Sequence, residues 1–433
     1  MCVRSPCACA GTLVLMRRVV AIFACAMLGL AAADLETLFR GSHDHAAIDY
    51  HAESLKDPIA AFNVKAGEGS ATPRFDGRSG YLRAVLEALD VPVESQIAVF
   101  SKTSLQAHII GPRNPRMIYF NDRVVVAWVR GEPFVEAAAQ DPERGVIFYT
   151  LDQQPVARPQ FKRDNTCLTC HESLSSVGVP GMLLRSVYPA PDGAPLRHLG
   201  DFQVDHRTPV EHRWGGWYVT GKFGAVHHIG NGVVRDIARP DAMVTNATLN
   251  LDSLEGKFEP SGYLSQYSDV AALMVFEHQM RMMNLFTRLG WETKLSVSEG
   301  QGAVTATLAR DLARDVVDYM MFVDEAPLTG WVRSTSGYGA RFAAQGPRDA
   351  KGRSLRDLDL ERRLMRYRCS YMIYAPVFDA LPEGAKVAVY ARMWEILGGA
   401  VKSPLGLEER RAIVEILRAT KAGLPAYFKS VTR

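Results

Sequence analysis

Apolar residues recur along this chain in two rhythms. Between residues 97 and 229 they come in short runs rich in Val, Ile, Phe and Tyr, bounded by turn residues, whereas beyond residue 269 they return every third or fourth position. The first rhythm predicts strands at 97–100, 117–120, 123–129 and 146–151, with Asn121-Asp122 as a hairpin turn. Segments 184–188 and 202–204 flank the turn-rich stretch 189–193, and 217–220 and 225–229 flank 221–224, so both predict antiparallel pairs. The second rhythm predicts a helix over 269–289. Leu308, Leu312, Val316, Tyr319, Met320 and Val323 predict another, closed by Pro327. Val387, Tyr390, Ala391 and Trp394 mark a third before Gly398-Gly399, and 407–421 a fourth, stopped by Gly423 and Pro425. The expected class is α+β: a β-rich region over 34–262 built of antiparallel hairpins, and a helical region over 263–433 packed on it. The polar stretch 34–51 carries His43, His45 and His51. It leaves room for a weak metal site, but its composition predicts a loosely ordered leader.

The first 33 residues follow a third pattern. Met16-Arg17-Arg18, an apolar run over 19–30 and Ala31-Ala32-Ala33 have the layout of a secretory signal peptide, 16–33, with cleavage expected near Ala33. Residues 1–15 read as an over-called start, because the signal is complete without them. The apolar run is shorter than the ~20 residues a bilayer span requires, so no stable membrane span is expected after cleavage. Export changes the balance of charge. The removed segment holds Arg4, Arg17 and Arg18 and no acid, which turns the formal +3 into zero. A neutral chain gives no electrostatic reason to bind nucleic acid or a membrane surface. The basic stretch 348–368 is expected to be a solvated face rather than a docking site. Four of seven cysteines also leave with the signal, and Cys167, Cys170 and Cys369 do not make a disulfide framework.

Two of those remaining cysteines stand in Cys167-Leu168-Thr169-Cys170-His171. Cys-x-x-Cys-His is the attachment signature of a c-type haem. Two thiols one helical turn apart add across the haem vinyl groups, and the following histidine supplies an axial nitrogen to iron. The opposite ligand decides between carrier and catalyst: two protein ligands leave only electron exchange, whereas an open face binds small oxidants. His278, Met182, His206 and His228 are the distal candidates, with His227 and His212 behind them. Met182 would give His/Met ligation and a raised potential. Arg213 or Arg185 could pair with a propionate, and Trp214 and Trp217 could lie on the macrocycle. A Cys-x-x-Cys without haem would be a thiol redox pair or half a zinc site. The sequence offers neither a βαβ context for the first nor a second close Cys/His pair for the second.

The motif resembles that of cytochrome c-type proteins, and the likeness covers little more than those five residues. The rest is similar in general character to large secreted bacterial proteins with one such site. The resemblance implies Cys167 and Cys170 as haem attachment and His171 as proximal ligand, with one haem c per chain. It does not carry the small all-α cytochrome fold, because 133 residues of the cleaved chain precede the motif. The expected function is an exported single-haem carrier in the periplasm, working with a redox partner protein. The alternative is a haem enzyme acting on a small-molecule oxidant such as peroxide or a nitrogen oxide. Intact mass of the exported protein is expected to place the new N-terminus at Asp34. A chain retaining residues 16–33 would mean a permanent anchor instead.

Overall fold

A computed structural model describes residues 43–70, 73–300 and 302–429, with backbone only over 302–305. The expected signal peptide lies outside the described residues. Two helices come first, neither expected from the apolar rhythm. The first, α1 (Pro58–Glu68), starts because Asp57 Oδ1 accepts from Ile59 N and Ala60 N at 2.7 and 3.0 Å, and it stops at Gly69, whose φ of 76° suits glycine. A short α2 (Leu82–Ala88) follows.

The strands β1 (Ile97–Val99), β2 (Arg116–Phe120), β3 (Val124–Trp128), β4 (Phe134–Asp141), β5 (Gly145–Asp152) and β6 (Lys162–Arg163) form an antiparallel meander. One helical turn, α3 (Leu168–His171), then carries the haem motif, and β7 (Leu184–Val187) and β8 (Asp201–Val204) pair as expected. The last strand of the large sheet, β9 (Trp217–Tyr218), adds to β1, giving the order β6-β5-β4-β3-β2-β1-β9. Asn121 holds the β2–β3 turn as expected, its Oδ1 accepting from Arg123 N and Val124 N.

Two expectations fail. The 217–220/225–229 hairpin does not form. The free edge of β1 takes Trp217 and Tyr218 instead, Lys222–Phe223 pairs with Val332–Arg333, and residues 225–229 are not a strand. The stretch 43–51 is not loose either, because Ile48 and Tyr50 are fully buried.

Strand side chains alternate between two covered faces. Met117, Tyr119, Val126, Ala137 and Ile147 face the core shared with α1 and α2. Ile118, Val125, Ala127, Ala138 and Phe148 face the core shared with the helical region. Antiparallel sheets commonly leave one face to water. This one does not, which is why its strands read as continuous apolar runs. The second face is covered by α4 (Val270–Ser298), in which every residue from Val270 to Met280 is buried. α5 (Gly302–Met320), α6 (Glu383–Leu397) and α7 (Leu407–Thr420) complete the helical layer near the expected places. The fold is thus α+β, with the antiparallel sheets in the N-terminal and central part and the long helices in the C-terminal part. Among the described residues no helix is long and apolar enough to cross a membrane.

Asp269 joins the two regions. Its Oδ1 caps α4 through Ala271 N at 2.8 Å, and its Oδ2 accepts from Thr335 N, Ser336 N and the hydroxyls of Ser334 and Ser336. Asp269→Ala removes the cap and strands buried donors, so unfolding in denaturant should show a loss of about 2–4 kcal/mol.

Candidate functional site

The haem motif is set by one local device. Asp164 Oδ1 accepts from Thr166 N at 3.0 Å and starts a 3-10 turn, Asn165–Cys167, that runs directly into α3. Cys167 and Cys170 therefore stand one turn apart. Neither is in a disulfide; Cys167 is half-buried and Cys170 exposed. Burial, with Asp164 and Glu136 adding to it, pushes the Cys167 thiol up to about 12.

His171 is clamped at two points to Gly181. Its carbonyl accepts from Gly181 N at 2.9 Å, and its Nδ1 lies 2.9 Å from Gly181 O. A carbonyl only accepts, so Nδ1 carries the proton and Nε2 is left with its lone pair free. Burial pushes the imidazole down to about 4, which keeps it neutral and able to ligate. Gly181 is itself held close: a Cβ there would strike Asn284, whose Nδ2 donates to Met182 O at 2.8 Å.

The thiols, His171 and Met182 line one cavity of about 670 Å³, counting its open mouth. Its floor is the sheet face, where Val125, Ala127, Ala138 and Phe148 present small or flat side chains. The Phe148 ring lies 4.9 Å from that of His171. Arg116 and Glu136 bring charge into the cavity as an ion pair at 2.5 Å, and Arg116 Nε is buried without a hydrogen-bond partner. Two thiols, one free imidazole nitrogen and an apolar floor are a set of groups that fits a c-type haem.

The other distal candidates lie elsewhere, and none of them lines this cavity. His206 and His278 bond to each other, Nδ1 to Nδ1 at 2.8 Å, and His278 Nε2 reaches Ser370 Oγ at 2.7 Å. Both rings stack with Tyr319 and Phe322, and burial holds both neutral, His278 down to about 3. His228 is buried with both nitrogens engaged by backbone, accepting from Gly230 N and meeting Leu249 O. His212 stacks on Phe202, and His227 is exposed.

Arg213 forms a buried ion pair with Glu277, which also accepts from Trp214 Nε1 at 3.2 Å. Burial pushes that carboxyl up to about 7 against the opposing arginine. Arg185 is paired with Asp201, and Trp217 Nε1 donates to Arg185 O. Arg213, Trp214 and Trp217 are thus committed to the core and Arg185 to Asp201, and none of them lines the cavity. The charged residues that do line the cavity are Arg116 and Glu136, and no motif marked them in the sequence. The 348–368 stretch is largely spent in ion pairs, among them Arg348–Asp357, Arg353–Glu415 and Arg368–Glu409.

No protein-family model, curated protein or solved structure matches this chain. The reading of the site therefore rests on its geometry and on the motif.

His278→Ala leaves His206 and Ser370 without their partner in the core, so denaturation should show a loss of about 2–4 kcal/mol. The absorption spectrum of any haem held at Cys167 and Cys170 is expected to stay unchanged. A changed spectrum would return His278 to the ligand set.

Proposed function

We propose that this protein is an exported c-type cytochrome that holds one haem and transfers electrons outside the cytoplasm. The observation that carries the reading is the convergence of Cys167, Cys170, His171 and Met182 on one apolar-floored cavity. Haem, when bound, would supply a one-electron iron couple. The chain supplies everything around it. Cys167 and Cys170 hold the group covalently, and His171 offers Nε2 in a tautomer that Gly181 O enforces. The sheet floor excludes water, and Arg116 offers charge to a propionate. Met182 would be the candidate second iron ligand, because it is the one distal candidate that lines the cavity. Exposed Cys170 marks the edge at which a redox partner protein would approach.

The thiol and zinc readings find less support. A thiol pushed up to about 12 is a poor nucleophile at neutral pH. Among the described residues, the only grouping of three possible metal ligands does not include the cysteines.

A pyridine haemochrome assay on protein exported from a host with cytochrome c maturation machinery tests the proposal. One c-type haem per chain is expected, and Cys167→Ala/Cys170→Ala should reduce covalent haem to none. A folded, exported protein without haem would sink the reading. Met182→Ala is expected to open the ferric iron to added azide. If the unsubstituted protein already binds azide, the enzyme alternative, acting on a small oxidant, replaces the carrier.

A further inference from the structure

On the flank of the haem motif the chain brings together three side chains that the cavity does not use. His43 Nε2 and His51 Nε2 lie 3.3 and 3.4 Å from the same oxygen, Asp44 Oδ1. The donor atoms of all three residues lie within 4.8 Å of one another. We propose that His43, Asp44 and His51 bind a divalent transition-metal ion of the zinc type, oriented by Glu172. The inference does not rest on haem.

Two distances match the chemistry. Zinc bonds of 2.0–2.1 Å in a tetrahedron put neighbouring donors about 3.3–3.4 Å apart, and that is the spacing of both imidazoles from Asp44 Oδ1. The set of two histidines and one carboxylate leaves a position for water, as open sites of this class do. Hydrogen bonding supplies an independent argument. His43 Nδ1 lies 2.9 Å from Glu172 Oε1, and the Glu172 side chain is only 6 % exposed. A carboxylate accepts and does not donate, so Nδ1 carries a proton and the other ring nitrogen, Nε2, is the one that faces Asp44 Oδ1. Two lone pairs facing each other at 3.3 Å repel unless a proton or a cation lies between them. A carboxylate behind the imidazole is the usual means of orienting a metal-binding histidine.

The support behind the ligands is firm. Tyr50 is fully buried, and its hydroxyl donates to Val146 O at 2.8 Å. Arg163 lies over its ring at 4.6 Å and donates to its carbonyl at 2.6 Å. His45 is turned to a different task, its Nδ1 accepting from Ala47 N at 3.0 Å, which makes it an internal control. A bound ion would fasten residues 43–51 onto Glu172, the residue after His171.

The test is calorimetric titration of the exported full-length chain, stripped with chelator, with Zn²⁺. One saturable ion per chain is expected. His43→Ala and His51→Ala should each weaken binding about 10-fold or more, Glu172→Gln by about 10–100-fold, and His45→Ala hardly at all. Circular dichroism checks that each variant folds. Co²⁺ on the unsubstituted chain gives a second readout, with visible bands of nitrogen and oxygen ligation and no thiolate charge transfer. Three results overturn the proposal: no saturable binding, affinity unchanged in His43→Ala/His51→Ala, or thiolate charge transfer with Co²⁺. Zinc lost only in Cys167→Ala/Cys170→Ala would sit on the thiols and count against the haem reading as well, whereas loss in the histidine variants alone leaves that reading untouched.

Discussion

A helix buried on most of its surface must find partners for its polar side chains inside the protein, and that constraint organises the molecule. Of the 29 residues of α4, 22 are buried, several of them polar. Four of those polar side chains reach out and fix different segments. Glu277 holds Arg213 and Trp214, and His278 holds His206 and Ser370. Gln279 holds the β2–β3 turn through Asn121 O and accepts from Tyr371. Asn284 holds the carbonyl of Met182. The helix acts as a post to which irregular segments are tied, and the segment beside the haem motif is one of them.

The cavity follows from that arrangement. A sheet covered on both faces would be solid if every inward position were large. Here Ala127 and Ala138 are small where α3 and Met182 stand above them. Gly181, pinned between His171 and Asn284, sets the spacing of the wall from the floor. His171, Met182 and the floor are thus referenced to α4 and the sheet rather than to a surface loop, and such rigid support is what a positioned cofactor would need.

How much of this was legible in the sequence varies by residue, for physical reasons. The 167–171 motif was legible because covalent chemistry dictates its spacing. The start of α4 was legible because Asp269 is a capping residue before an apolar run. His278 and His206 were not separable from ligands by inspection. Their partnership spans 72 positions, and periodicity does not reveal which buried histidine has found another. Met182 stood nearest the motif, and its neighbour Gly181 proved to be the residue that orients His171. The contact between His43 and Glu172 spans 129 positions, so a histidine-bearing leader looked loose until its partner was in view. The two early helices escaped because each is short and buries only one stripe.

The strand β4 escaped for a reason that bears on assembly. Its centre is Ala137-Ala138-Ala139, and alanine is the strongest helix former and a poor strand former. Alone, this segment leans toward a helix, and only the ladders to β3 and β5 on either side make it extended. Local preference and global structure conflict here, and such conflicts concentrate at functional positions. The floor of the cavity is therefore the part of the sheet least able to exist before its neighbours. Thiols carried on a turn that Asp164 starts locally can be in place earlier than the surface they face. The thiols and the surface they face thus depend on different parts of the chain, one on a local turn and the other on strands brought in from elsewhere.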